Sequence, residues 1–279
     1  MPDVTGEAYL DDASRPEREE LTMTALTLIE SADGTGIAFD RSGSGPPLVI
    51  VVGAFCDRST TKPLAALLAS GYTVHEYDRR GRGESGNGAR LSIDGEVQDL
   101  EAVLAAAGEP PFVYGHSSGG ALALEAAARG VNMRSLAVYE PPYSGNAHPD
   151  PAFGDRLDRL VAAGRRDQAA EQWLVMTGTP PPVIKSIKSR AGWAHRQALA
   201  HTLSQDLRLA NNGQVPIERL KLVDAPVLAM AGEASAPWAR STIATLAGAL
   251  PHASRCIVDG QGHVPADPAV AAILESFFR

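Results

Sequence analysis

The chain has 279 residues, 44% of them hydrophobic, and a formal net charge of −8. That length holds one large α/β domain with an insertion, or two small domains, and the apolar content is enough for a full core. No basic cluster points to nucleic acid or an anionic membrane and no apolar run is long enough to span a bilayer; the two cysteines, Cys56 and Cys256, sit in neither a Cys-x-x-Cys nor a Cys/His pattern, which argues against a disulfide framework and a zinc site.

Residues 1–22 are charged and aperiodic and read as a flexible arm. Thr24–Glu30 alternates apolar and polar residues, the pattern of a strand, and a turn at Ala32–Gly36 leads to a second strand at Ile37–Asp40. The Ser42–Pro47 loop lacks the Lys-Ser/Thr of a phosphate-binding loop and is a connector. Leu48–Val52 is an unbroken aliphatic run, as expected of a strand covered on both faces. A helix at Thr60–Ser70 and a strand at Thr73–Tyr77 follow, then a Gly-rich loop at 78–86 too polar for a core, then a helix at Ile93–Ala107 stopped by Gly108. Ser135–Glu140 is the next strand after residues 111–128. Residues 144–222 lose the strand–helix alternation and give helical patches at Phe153–Ala163, Gln168–Met176 and Gly192–Leu209. Strands resume at Pro226–Gly232 and Arg255–Asp259, with helices at Pro237–Leu250 and Pro268–Phe278. The alternation predicts a mostly parallel sheet with helices on both faces, whose sites form at the carboxyl ends of the strands.

The stretch 111–128 carries the chemistry. An apolar strand runs straight into Gly115-His116-Ser117-Ser118-Gly119, and an Ala-rich helix-forming run follows at once. Strand, Gly-x-Ser-x-Gly and helix make a nucleophile elbow, in which a tight turn lifts the serine hydroxyl clear of the sheet. Gly115 and Gly119 keep that turn free of side chains, and the Ser118 N–H at the helix start points where an oxyanion would develop. The competing reading is a Gly/Ser-rich helix entry with a capping serine.

With this elbow, the loop Asp78-x-Arg80-Gly81-x-Gly83-x-Ser85 and Gly260-Gln261-Gly262-His263 after the last strand, the chain resembles the α/β-hydrolase superfamily over nearly its whole length. The resemblance implies an eight-stranded, mostly parallel sheet, a core formed by residues 23–143 and 223–279, and a helical cap at 144–222. It implies Ser117 as nucleophile and His263 as its base, with His116 as a neighbour that does not catalyse. It also implies a second oxyanion donor from the stretch Val52–Phe55, with Ala54 the first choice and Phe55 the second. The 78–85 loop is then scaffold that holds the oxyanion loop.

The sequence departs from the family at the acid. The usual position, three residues after Gly232, holds Ser235, and Glu233 lies nearby but off register. Glu140 ends the strand after the elbow, where haloalkane dehalogenases and zearalenone-type lactonases are similar in carrying their acid. Glu140 is the leading candidate, with Glu233 as the alternative. The expected activity is a cytoplasmic serine hydrolase for an ester or lactone of a small, fairly apolar molecule, working through an acyl-enzyme. Phe55, Trp238, Trp173, Met176 and Trp193 are candidate pocket walls, although helix packing explains the cap aromatics equally well. No metal or cofactor is expected, no nucleic-acid or membrane partner, and a monomer or homodimer. Two other readings stay open: a cofactor-free lyase, isomerase or cyclase, and a small-molecule receptor on the same fold.

Overall fold

A computed structural model of the chain describes residues 27–88, 91–145, 150 and 152–279. The expected arm at 1–22 and the first residues of the first predicted strand lie outside these. The strands are β1 (Thr27–Glu30), β2 (Gly36–Gly43), β3 (Pro47–Val51), β4 (Thr73–Tyr77), β5 (Phe112–His116), β6 (Ser135–Tyr139), β7 (Val227–Gly232) and β8 (Ala253–Val258). They form one eight-stranded sheet in the order β1-β2-β4-β3-β5-β6-β7-β8. β2 pairs antiparallel with β1 and β4, and every other pairing is parallel.

The helices are α1 (Lys62–Leu68), α2 (Ile93–Ala106), α3 (Ser118–Ala128), α4 (Phe153–Ala162), α5 (Arg166–Met176), α6 (Pro181–Lys188), α7 (Gly192–Leu199), α8 (Leu203–Leu209), α9 (Ile217–Leu220), α10 (Pro237–Ala249) and α11 (Asp267–Phe277). The period-two alternation of the inner strands divides the core. Leu48 and Ile50 of β3 join Leu68 of α1 and Leu274 of α11 on one face. Val49 and Val51 join Leu100 of α2, Leu122 of α3 and Ile243 of α10 on the other. The aliphatic run Leu48–Val52, read from the sequence as a doubly covered strand, is therefore that, because a parallel strand between two helical layers has no solvent face.

Helices α4–α9 form an insertion between β6 and β7. Its apolar cluster, with Leu157, Leu160, Leu174, Trp193 and Leu203, also takes in Phe55 from the loop after β3, so the insertion packs over the carboxyl edge of the sheet. The predicted helix over 192–209 is interrupted by a 3₁₀ turn at Ala200–Thr202, and helix α6 has no clear sequence signal because it opens on Pro181-Pro182, a pair that resembles a turn but is also tolerated in a first helical turn. β2 runs three residues beyond the predicted Asp40, because Arg41, Ser42 and Gly43 pair with β4 although they carry no apolar signal.

Small residues let α3 pack closely: Ala121, Ala123 and Ala126 are all buried, between the sheet and the neighbouring helices. The approach is closest at the elbow, where a β-carbon on Gly115 would come 2.6 Å from the Gly120 Cα and one on Gly119 would run into the Val51 and Val52 carbonyls. Both obstacles are backbone and cannot swing aside. Gly119→Ala should therefore cost about 1–3 kcal/mol, read as a lower urea midpoint; an unchanged midpoint would show that the elbow has more room than this packing allows.

Candidate active site

Ser117 sits between β5 and α3 with φ 52° and ψ −125°, a conformation that a residue with a β-carbon rarely adopts. Its N–H donates to the Tyr139 carbonyl at 2.8 Å, which ties the turn to β6. The next residue along β6 is Glu140, also at positive φ (45°). Its N–H donates to the Met230 carbonyl of β7 at 2.9 Å, so two neighbouring strands hold its backbone.

The Glu140 side chain is completely buried. One oxygen, Oε2, lies 2.7 Å from His263 Nδ1, and the other accepts from the Gly232 N–H at 2.8 Å. Burial pushes this carboxyl upward, but the bonds from His263 and the Gly232 N–H outweigh it and hold the group below its usual value. Because Nδ1 faces a carboxylate it carries a proton, which leaves Nε2 as the basic nitrogen. His263 keeps one side open: its side chain is 44% exposed.

The loop that bears His263 is held from several directions. The Tyr139 hydroxyl donates to the Gly262 carbonyl at 2.6 Å, and Ala234 N–H donates to the Gln261 carbonyl at 2.9 Å. His116 Nε2 bonds to the His263 carbonyl at 2.8 Å, and the two rings are 5.1 Å apart. A carbonyl can only accept, so His116 Nε2 carries the proton. Burial, with the nearby His263, pushes His116 down to about 4, so it stays neutral at pH 7.

The other sequence candidates are found as follows. Glu233 does not reach His263; it is exposed and its Oε2 accepts from the Gly260 N–H at 3.0 Å. Ser235 lies beside the Glu140 carboxylate, in the turn after β7. Ala54 and Phe55 follow β3, where Phe55 has a positive φ of 60°; a β-carbon on Gly53, just before them, would be 3.0 Å from Ser117 Cβ. The loop thus runs against the serine. Trp173 meets the Phe55 ring edge-on at 6.5 Å, and Trp238 lies 6.4 Å from the His263 ring. Trp193 is buried within the insertion with Lys188 Nζ over its ring at 5.5 Å. Met176 borders the same cluster. Among the described residues no group of three or more His, Cys, Asp or Glu could hold a metal ion, and no helix is long and apolar enough to cross a membrane.

The 78–85 loop, expected from its composition to be too polar for a core, is in fact buried at Asp78, Arg79, Arg80 and Arg82, because their charges are paired, and it braces the loop after β3 as the resemblance implied. Arg79, Arg82, Glu96 and Asp206 are all buried. Arg79 makes a two-pronged pair with Glu96 (2.5 and 2.9 Å) and donates to the Val52 carbonyl at 3.1 Å. Arg82 donates to the carbonyls of Gly53 and Cys56. The loop after β3 therefore has its carbonyls fastened by guanidinium groups. Arg80 turns the other way, into a two-pronged pair with Asp99 at 2.6 Å.

The profile of the alpha/beta hydrolase family matches residues 48–275. The chain belongs to that family. A solved alpha/beta hydrolase from Sphaerobacter thermophilus is 40% identical to this hydrolase; the match covers 91% of this chain and 100% of that one, with a TM-score of 0.85. A pimeloyl-[acyl-carrier protein] methyl ester esterase of Xanthomonas campestris is 28% identical over 250 residues, 81% of this hydrolase and 91% of the esterase. The uncharacterized hydrolase YraK of Bacillus subtilis is 32% identical over 100 residues, which are 34% of this hydrolase and 37% of YraK, so that match spans about a third of either chain.

The depressed His116 has a consequence for stability. Between pH 6.5 and about 4 the unfolded chain binds a proton there that the folded hydrolase refuses. Its contribution is intact above the unfolded value and shrinks as the pH falls toward the folded one. The urea midpoint of the wild type should decline over this range more steeply than that of His116→Asn. Parallel profiles would mean that His116 titrates alike in both states.

Proposed function

We propose that this hydrolase cleaves an ester or lactone of a small, fairly apolar molecule through an acyl-enzyme on Ser117. The observation that carries the reading is the 2.7 Å contact between His263 Nδ1 and the buried Glu140 carboxylate, at the sheet edge where Ser117 stands on its elbow. Ser117 Oγ attacks the carbonyl while His263 Nε2 takes its proton, and Glu140 balances the charge that forms on the imidazole. The oxyanion rests on the N–H groups of Ser118 and Ala54. The tetrahedral adduct collapses, His263 returns the proton to the leaving alcohol, and a water activated by the same nitrogen releases the acid. Phe55, Trp173 and Trp238 offer the apolar walls, and the helical insertion serves as the cap that selects the acyl or alcohol part.

The lyase reading drew on the missing carboxylate at position 235, and Glu140 against His263 removes that motive. The esterase among the relatives is consistent with ester chemistry. In this reading the partner is the small substrate alone, without cofactor, and the cytoplasm is the compartment in which the two free thiols, Cys56 and Cys256, stay reduced.

A fluorophosphonate should add once to the wild type and not to Ser117→Ala, by intact mass. With acyl 4-nitrophenyl esters and lactones as substrates, Glu140→Gln should lower kcat by about 10⁴-fold with little change in KM, and Glu233→Gln should stay near wild type. An unlabelled wild type, or a crippled Glu233→Gln beside an active Glu140→Gln, would sink the assignment. Trp173→Ala should change the ratio of kcat/KM between short and long acyl chains by roughly 10-fold; equal loss on every ester, with a lower Tm, would make Trp173 a packing residue only.

A further inference from the structure

Asp206 belongs to α8, in the insertion, yet it ends among groups of the core. Its Oδ1 accepts from Ser118 Oγ (2.8 Å), Arg79 Nη1 (2.9 Å) and Arg82 Nη2 (2.7 Å). Each donor leads to the oxyanion site. Ser118 supplies one of its N–H groups. Arg79 holds the Val52 carbonyl, and Arg82 holds the Gly53 carbonyl. In a trans peptide the C=O and the following N–H point in opposite directions. Fixing the Gly53 carbonyl on Arg82 therefore turns the Ala54 N–H to the far side of that peptide, away from the arginine. The other Asp206 oxygen, Oδ2, is buried without a hydrogen-bond partner among the described residues. A carboxylate chosen only to anchor the insertion would gain stability by satisfying both oxygens.

We propose that Asp206 is a positioning residue of the insertion that sets the oxyanion hole, so that the hole is complete only when the insertion is seated on the core. This rests on the serine-hydrolase reading above. It deepens that reading by making the insertion part of the catalytic apparatus as well as a cover. When α8 moves away, Arg82 loses the carboxylate it meets, Arg79 keeps Glu96 alone, and the Ser118 hydroxyl loses its acceptor. The 52–56 loop then has no fixed direction for the Ala54 N–H. Substrate is bound through other contacts, so the loss falls on the transition state.

The test compares the wild type, Asp206→Asn, Ser118→Ala and Leu274→Ala. Ser118→Ala keeps the backbone N–H and removes only the hydroxyl that meets Asp206. It carries the test by itself where Asp206→Asn gives no folded protein. Leu274 of α11 is buried in the apolar layer with Leu48 and Leu68, apart from the insertion's cluster, so its variant lowers stability without touching the insertion or the charges. Active sites are counted with a fluorophosphonate. On 4-nitrophenyl butanoate, Asp206→Asn should lose on the order of 10²-fold in kcat per active site, with KM within about 2-fold. The Ki of an alkyl trifluoromethyl ketone, whose hemiketal oxygen occupies the same hole, should rise by the same factor. Ser118→Ala should move both values together by several-fold, and Leu274→Ala should lower Tm while leaving both per-site values alone. A wild type that neither turns over esters nor binds the ketone overturns the hydrolase reading and this inference with it. An active wild type whose Asp206→Asn or Ser118→Ala variant matches it per active site in kcat and Ki overturns this inference alone.

Discussion

The structure depends on how closely α3 can approach the sheet at the end of β5. The Gly115 and Gly119 positions leave room for backbone only, and the chain answers with a turn that forces Ser117 to φ 52°. A residue with a β-carbon held there costs of order 1–3 kcal/mol and persists only where its surroundings over-determine it. Here they do: the Ser117 N–H is bonded to β6, and α3 is buried between the sheet and its neighbouring helices. Once the serine is fixed at the carboxyl edge, the loop after β3 is drawn against it, and the strand ends at β6, β7 and β8 fall around the same point. The site is thus a consequence of one close contact in the core.

The acid on β6 follows from the same register. Tyr139 of β6 stands opposite Met230 of β7, so Glu140 and the residues after Gly232 emerge side by side from the sheet. A carboxylate from either strand end can reach an imidazole set beyond β8. Glutamate on β6 has a further requirement, because its backbone must turn at once; the positive φ of Glu140 and its bond to the Met230 carbonyl accomplish that. The longer side chain then spans back to His263, with Ser235 lying beside the carboxylate. Burial alone would favour the neutral acid, and it is the donors, His263 and the Gly232 N–H, that keep it charged.

Much of this could be read in the sequence because it is written in local patterns. A doubly covered strand must be aliphatic throughout, and an elbow must have glycines at fixed offsets, so β3, β5 and Ser117 carry their own signals. The choice of Glu140 over Glu233 drew on its position ending an apolar strand, and that position does bring it to His263. What stayed hidden involves residues whose role is set by distant chain. Tyr139 reads as strand core, but its hydroxyl reaches Gly262, 123 positions away. Asp206 sits in a run with Thr202, Ser204 and Gln205 that looks like a solvated helix face, and all four are buried. The break at Ala200–Thr202 was invisible for a related reason, since the run from 192 to 209 keeps helical spacing across the kink. Only the two arginines, 124 and 127 positions earlier in the chain, and Ser118, 88 positions earlier, make sense of Asp206.

Burying Arg79, Arg82, Glu96 and Asp206 together is a poor way to gain stability, because well-packed apolar side chains of similar volume are often as good or better. The reason lies in the loop they face. Its backbone passes through a positive φ at Phe55 and cannot join the sheet, so the carbonyls of Val52, Gly53 and Cys56 have no strand partners to satisfy them. An apolar core offers no donors, and leaving such carbonyls bare costs about 1–3 kcal/mol apiece. Guanidinium groups provide several donors in a rigid plane, and they bring positive charge that must be matched in place. Glu96 from α2 and Asp206 from α8 match it. The need to hold this one loop off the sheet therefore accounts for the burial of Arg79 and Arg82, for the buried carboxylate on α2, and for a carboxylate of the insertion reaching into the core.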